Sequence, residues 1–325
     1  MIRRHEHLFV PGEPRQNPKQ PFKKAVTMQL TICALPYASG QPRVGMGLGP
    51  VRYLEARPET LLADHGHETE TAVVQPRLEA GLSEPDAVGV IDAALALAVA
   101  TAGRADRFPL VLAGNCNSCL GTIAGARSGT NGADGIGVVW FDAHGDLNTP
   151  ETTPGGFFDG MGLAIATGRA YDDVRQAAGL SEPVPEACVA HIGARDLDPP
   201  ESDYLATAGM LSLSAAELQS GGSAAALEPV LRELRTRTAD VYLHIDIDVL
   251  SNDVAPGVDF PAPGGLSLAE LERAVSAVAE TFTVRAAALT AYDPARDRGH
   301  ATLRSGLRLM EAIADAVGGR AGLST

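Results

Sequence analysis

Positive charge is in short supply: 26 Lys and Arg stand against 40 Asp and Glu, a formal net charge of −14 over 325 residues. Nucleic acids and anionic membranes need a basic face, so neither is expected as a main partner. Cysteine is also sparse. Cys33, Cys116, Cys119 and Cys188 are too few for a disulfide framework in a chain of this length. No apolar run reaches the ~18–20 residues of a membrane-spanning helix; the best candidate, Ala93 to Ala102, reads as a buried helix. The start, Met1-Ile2-Arg3-Arg4, is basic, but no continuous apolar segment follows, which argues against a signal peptide. The cytoplasm is the expected compartment. Aromatic residues make up only 5%, and the Ala-rich composition suggests thin Ala/Leu/Val helices packed on a sheet.

Hydrophobic residues at 45% and charged residues at 20% suit a globular protein with a sizeable core. Thirty-five glycines and 22 prolines are scattered through the chain, which excludes collagen-like and low-complexity readings. Residues 1–27 are polar, hold four prolines and show no periodicity. They read as a disordered N-terminal extension or a misplaced start, with the folded domain spanning 28–325.

From Met28 onward, short apolar runs alternate with helical patterns. Strands are expected at Leu30–Pro36, Phe108–Ala113, Gly135–Phe141, Val189–Gly193, Val241–Ile247 and Val284–Thr290. Helices are expected at Asp86–Thr101, Ser118–Ala126, Ala224–Arg235, Ser267–Ala279 and Leu303–Ala316. Strands that alternate with helices and read as continuous apolar runs predict βαβ units and a mostly parallel sheet covered on both faces. The fold class is therefore α/β, in one domain.

Ligands of such sheets bind beyond the carboxyl ends of the strands, and the polar residues gather there. Asp142-Ala143-His144-Gly145-Asp146 follows one expected strand and Asp246-Ile247-Asp248 follows another. Two carboxylates and an imidazole at i, i+2 and i+4 suit Mn²⁺, Fe²⁺ or Zn²⁺. Two further carboxylates leaving a buried strand repel each other unless a cation compensates. The bland alternatives are a helix cap at Asp142 and an Asx turn at Asp246. Four Asp and one His at two strand ends make a binuclear metal site the sharper reading.

These segments resemble the ureohydrolase family of arginases and agmatinases. The resemblance rests on Leu110–Gly125, Val138–Thr153, His191–Pro199 and His244–Ser267, and covers the chain from about Met28 onward. It implies a three-layer αβα sandwich around a mostly parallel sheet. It also implies metal-dependent hydrolysis of a guanidino or related amidine C–N bond with two divalent ions, usually Mn²⁺. Asp142 and Asp246 would then bridge the metals. His144 and Asp248 would complete one ion, and Asp146 and Cys116 the other. A bridging hydroxide would attack the substrate carbon, oriented by Asp146.

Three departures from the family pattern stand out. Cys116 occupies the place of a histidine ligand, and a thiolate there shifts the preference toward Zn²⁺ or Fe²⁺; a buried inert cysteine beside a mononuclear site is the alternative. A redox role for Cys116-x-x-Cys119 is the weakest option. Asp159 stands where a His proton shuttle is common, and would protonate the leaving amine if its pKa is raised, or else cap the helix after it. The family's guanidinium-binding Glu is replaced by Ala291, with Asp293 or Asp297 as possible substitutes. Asn148 and Asp198 match positions that contact the amino-acid end of the substrate. His191 and His244 read as satisfied core residues or as residues supporting the ligands from behind, and His65, His67 and His300 carry no assigned role.

The expected activity is hydrolysis of a guanidino, hydroxyguanidino or formimino compound, with L-arginine not the best substrate. The alternatives are a mononuclear, deacetylase-like amide hydrolase and a non-catalytic subunit or binding protein. The expected partner is a small-molecule substrate, with a homo-oligomer possible.

Overall fold

The structure, a computed structural model, describes residues 27–128, 135–220 and 223–321. The N-terminal extension expected at 1–27 lies outside these, apart from its last residue. In chain order the first elements are β1 (Gln29–Leu35), β2 (Tyr37–Ala38), β3 (Gln41–Pro42), α1 (Gly49–Glu55), α2 (Pro58–Asp64) and β4 (Glu68–Val73). Then come α3 (Glu84–Arg104), β5 (Phe108–Ala113), α4 (Cys119–Ser128), β6 (Gly137–Phe141), α5 (Gly162–Ala166) and α6 (Asp172–Ala177). The third part holds β7 (Val189–Ile192), α7 (Pro199–Leu205), β8 (Leu211–Leu213), α8 (Ala215–Ser220) and α9 (Ser223–Arg235). The chain closes with β9 (Asp240–Asp246), α10 (Leu268–Thr281), β10 (Thr283–Thr290) and α11 (Ala301–Ala321).

Eight strands form one parallel sheet in the order β4-β1-β5-β10-β9-β6-β7-β8. Successive side chains on a strand point to opposite faces, and the core divides accordingly. Leu110, Leu112, Val139, Phe141, Leu243 and Ile245 pack in one cluster with residues of α1, α2, α9, α10 and α11. Val111, Ala113, Val138, Trp140 and Tyr242 pack in the other with residues of α3, α4, α5 and α6. That division is the three-layer αβα sandwich. Each fully buried Leu, Val or Phe contributes roughly 1.5–3 kcal/mol, which is why the central strands are mostly apolar until their carboxyl ends, with His191 and His244 as buried exceptions.

All six expected strands and all five expected helices are present, with small shifts at their ends. The edge strands β4 and β8 were missed. β4 alternates charged Glu68 and Glu70 with Thr and is mostly solvent-facing, so it lacks the apolar run that marks the interior. β8 is only three residues long. One expectation needs correcting: α3 runs for 21 residues and is long and apolar enough by composition to cross a membrane. Half of its most apolar window is buried inside this domain, against α4, β1 and β5.

Candidate metal centre and active site

The carboxyl ends of β5, β9 and β6 face one cavity of about 460 Å³. β5 runs into Gly114–Ser118, which turns into α4 and presents Cys116 and Asn117, both buried. β6 runs into Asp142–Asp146. β9 ends at Asp246, whose carboxylate accepts the Asp248 N–H at 2.8 Å. Cys116, His144, Asp146, Asn148, Asp159, Asp198, Asp246 and Asp248 all line the cavity. Asp142 lies just beneath, 1% exposed, accepting from Trp140 Nε1 at 2.9 Å and from the His144 N–H at 2.8 Å.

Two groups of donor atoms are close enough to share an ion. Asp142, His144 and Asp248 form one, with ligand atoms all within 4.8 Å of one another; Cys116, Asp142 and His244 form the other. Cys116 Sγ donates to Asp246 Oδ2 at 3.0 Å, so Asp246 adjoins the second group. His144 Nδ1 lies 2.9 Å from Asp248 Oδ2 and 3.6 Å from Asp142 Oδ1. Asp146 Oδ2 is buried and has no hydrogen-bond partner, which is costly for a carboxylate oxygen unless a cation meets it. Asp146 is also held at φ 51°, a left-handed conformation rare for non-glycine residues. This donor set fits divalent metal: hard carboxylates, one imidazole beside them, and a thiol at the floor.

The titration of the cluster points the same way. Burial, reinforced by Asp142, Asp159 and Asp246, pushes the Asp146 carboxyl well above its usual range. Burial and then Asp248 and Asp142 do the same to Asp246. Burial disfavours a charged His144, yet its hydrogen bonds to Asp142 and Asp248 prevail and push it up to about 12. Asp248 is held low because the His144 interaction outweighs its burial. Burial and four nearby carboxylates push the Cys116 thiol up. These are the marks of anions packed together with too little compensating charge.

Asp159 is not a helix cap. Its carboxylate accepts from Asn115 Nδ2 and from the Asn117 N–H at 3.0 Å, bracing the segment that carries Cys116. Burial raises it to about 7 in spite of those hydrogen bonds. Asn148 Nδ2 donates to Asp198 Oδ2 at 2.8 Å. Asp198 caps α7, and Glu201, which completes the capping box, also accepts the Leu147 N–H at 2.9 Å. Glu201 lines the cavity and was missed, although its spacing after Asp198-Pro199-Pro200 is the capping-box pattern.

Asp293 does not join the others. It is absent from the cavity lining, and its carboxylate accepts the Ala295 N–H and lies 3.4 Å from Arg296 Nε. A turn ahead of α11 uses the side chain that the sequence reading offered to substrate. Asp297 likewise accepts the Thr302 and Leu303 N–H groups at the start of α11. Ala291 does line the cavity, at φ 65°. Asp259, Asp196, Phe157 and Phe260 line it too, the two Phe rings 4.9 Å apart. His191 is fully buried, with the backbone of His144 and Gly145 beside its ring.

Comparison with known proteins agrees with this geometry. The arginase family model matches residues 28–314. Arginase from Bacillus caldovelox is 31% identical over 293 residues, covering 87% of this chain and 97% of that one. Arginase from Brevibacillus brevis is 32% identical over 299 residues with the same coverage. The solved structure of the Bacillus caldovelox arginase superimposes with a TM-score of 0.79 at 30% identity, covering 89% of this chain and 98% of that one. Formimidoylglutamase from Bacillus subtilis shares the fold at a TM-score of 0.70 and 18% identity, covering 91% and 88%. With its metal-binding residues and parallel-sheet sandwich, this chain belongs to the arginase family of hydrolases.

Proposed function

We propose that this protein is a binuclear metal-dependent hydrolase that cleaves a C–N bond of a guanidino, hydroxyguanidino or formimino compound, with L-arginine not its preferred substrate. The observation that carries this reading is the convergence of Cys116, His144, Asp146, Asp246 and Asp248 on one cavity beside Asp142, with a buried Asp146 oxygen left without a protein partner. Two bound divalent cations, Mn²⁺ by family habit or Zn²⁺ or Fe²⁺ because of the thiol, would polarise the substrate carbon and lower the pKa of a water between them.

The chain's own residues then divide the work. Asp142 and Asp246 would hold both ions, His144 and Asp248 would serve one, and Cys116 and Asp146 the other. Asp146, pointing into the cavity, orients the attacking water. Asp159 holds a proton near neutrality and delivers it to the leaving amine. Asn148 and Asp198 act as one hydrogen-bonded unit on the distal part of the substrate.

The test joins metal analysis to a hydrolysis screen over guanidino, hydroxyguanidino and formimino compounds with Mn²⁺, Zn²⁺ and Fe²⁺ in turn. About two ions per chain and turnover of one of these classes support the reading. About one ion with amide cleavage would support a mononuclear enzyme instead. Tight metal binding with no turnover of any class, and no change on Asp246→Asn, would favour a non-catalytic relative.

A further inference from the structure

His244 sits where neither the DAHGD nor the DxD motif would place a ligand. It precedes Asp246 by two on β9, so strand alternation puts both side chains on one face of the sheet. Its register partner on β6 is Trp140, two residues before Asp142. The two strands thus deliver a matched pair: Trp140 and Asp142 from one, His244 and Asp246 from the other.

The ring is rigidly held. It stacks on Trp140 with centroids 3.5 Å apart and planes 9° from parallel. Nδ1 lies 2.7 Å from the Tyr242 hydroxyl. That leaves Nε2, whose hydrogen-bond neighbour among the described residues is the Thr290 hydroxyl at a long 3.4 Å. The same hydroxyl lies 3.2 Å from Cys116 Sγ. A ring nitrogen of His244, Cys116 Sγ and an Asp142 oxygen all fall within 4.8 Å of one another. His244 is fully buried.

We propose that His244 is a ligand of the inner metal ion, the one assigned to Cys116 and Asp146 (the outer being that of His144 and Asp248), supplying an imidazole beside Cys116, Asp142 and Asp246 where the usual histidine has been replaced by Cys116. The Tyr242 oxygen accepts from Nδ1–H and fixes the tautomer that aims Nε2 at the ion, the usual support for a ligating histidine. One sulfur, one nitrogen and carboxylate oxygens make a softer, smaller site than carboxylates with imidazole alone, and favour Zn²⁺ or Co²⁺ over Mn²⁺ at this position. The inference rests on the metal-binding reading above and adds one ligand and a metal preference to it.

The test uses metal-free protein reloaded with Co²⁺ or Zn²⁺, comparing wild type, Cys116→Ser, His244→Gln and His244→Phe, the last preserving the stack on Trp140. Metal-edge X-ray absorption counts the imidazoles. Wild type should show two per pair of ions, from His144 and His244, and both His244 variants should show one. The sulfur-to-cobalt charge-transfer band should survive in the His244 variants, with shifted ligand-field bands, and vanish in Cys116→Ser. Inner-ion affinity in the His244 variants should fall by more than the ~10–100-fold that loss of a supporting residue costs. An unchanged imidazole count in folded His244→Phe, judged by its near-ultraviolet dichroism and retained outer ion, overturns the proposal alone. Failure of the wild type to take up Co²⁺ or Zn²⁺ at all overturns the metal-binding reading beneath it.

Discussion

Asn148 and Asp198 stand fifty residues apart in sequence and are joined by a 2.8 Å hydrogen bond at the mouth of the cavity. Asp198 also caps α7. The bond joins two residues that both line the cavity. Asp198→Asn preserves the cap, since Asn caps about as well as Asp, but removes the charge. It should lower kcat/KM about tenfold or more for a substrate with a distal ammonium, because hydrogen bonds to charged groups contribute roughly 1.5–3 kcal/mol. A substrate without the ammonium should be affected far less. Equal losses on both would show that Asp198 acts only on the fold.

Metal removal should invert the pH dependence of stability. In the metal-free protein Asp159 is raised to about 7, and Asp146 and Asp246 well above their ordinary range. A carboxyl whose folded pKa exceeds its unfolded value of about 4 keeps a proton that the unfolded chain gives up. Its stabilising contribution is full at low pH and is lost as the pH rises through the folded pKa. His144, raised to about 12, acts in the same direction above its unfolded pKa of about 6.5. The Tm of chelator-stripped protein should therefore fall between about pH 5 and pH 8. Saturating Zn²⁺ or Mn²⁺ should reverse the slope, because the ions bind the deprotonated ligands. Parallel Tm curves with and without metal would contradict this account.

The Cys116 thiol offers a proton count. Burial and the surrounding carboxylates keep it protonated at neutral pH, yet a metal binds only the thiolate. Zn²⁺ binding to wild type should release about one proton more than binding to Cys116→Ser. Calorimetry in buffers of different ionisation enthalpy reads that difference directly. No difference would remove Cys116 from the ligand set.

Much of this architecture was legible in the chain because buried parallel strands must be apolar until they end. Phe108–Ala113 and Val241–Ile245 announce their own boundaries, and the motifs that follow them announce the site. The family resemblance then supplied roles for Asp142, His144 and Asp146. What the chain could not convey was orientation in loops. Asp293 and Ala291 are two residues apart, yet only Ala291 faces the cavity, because Asp293 is drawn into hydrogen bonds of its own turn. His244 looked like an apolar-strand residue, since nothing in Val241–Ile245 reveals that the neighbouring strand carries Trp140 in register. Glu201 was readable as a capping partner but not as a cavity residue.

Asp92 braces the same region from behind. It lies in the middle of α3, and its Oδ1 accepts the Gly121 N–H of α4 at 2.9 Å. Burial raises its carboxyl to about 8. Asp92→Asn keeps the acceptor and removes the ionisable group, so it should flatten the loss of stability expected between about pH 4 and pH 8. Asp92→Ala leaves the buried N–H unmet and should cost about 1–3 kcal/mol at any pH. Gly121→Ala would bring a Cβ within 2.3 Å of the Asp92 carbonyl oxygen, forcing α3 and α4 apart at a cost of about 1–3 kcal/mol. Urea unfolding near pH 6 and above pH 8 separates the three variants. A pH slope shared by Asp92→Asn and wild type would mean that Asp92 does not titrate in this window.

L-arginine should be a poor substrate. Gly155 and Phe157 both line the cavity and offer no side-chain hydrogen-bond donor to an amino-acid carboxylate. The position of the guanidinium-binding Glu holds Ala291, and neither Asp293 nor Asp297 turns in to replace it. Asp259 does reach the cavity, but Arg296 Nε donates to it at 2.6 Å and claims part of its charge. A carboxylate entering here would meet Asp196, Asp198 and Glu201, with no Arg or Lys among the lining residues. Losing two or three hydrogen bonds to charged groups, at roughly 1.5–3 kcal/mol each, would lower kcat/KM by about two to five orders of magnitude. The Phe157–Phe260 pair offers an apolar wall instead. A less basic amidine such as a hydroxyguanidine, or a substrate without the amino-acid end, suits that wall and the absent Glu. The check is kcat/KM for L-arginine against N-hydroxy-L-arginine, agmatine and simple guanidino acids. The double variant Gly155→Ser, Phe157→Asn should raise the L-arginine value about tenfold or more by restoring donors to its carboxylate. Wild-type protein that prefers L-arginine over the whole panel would sink the prediction.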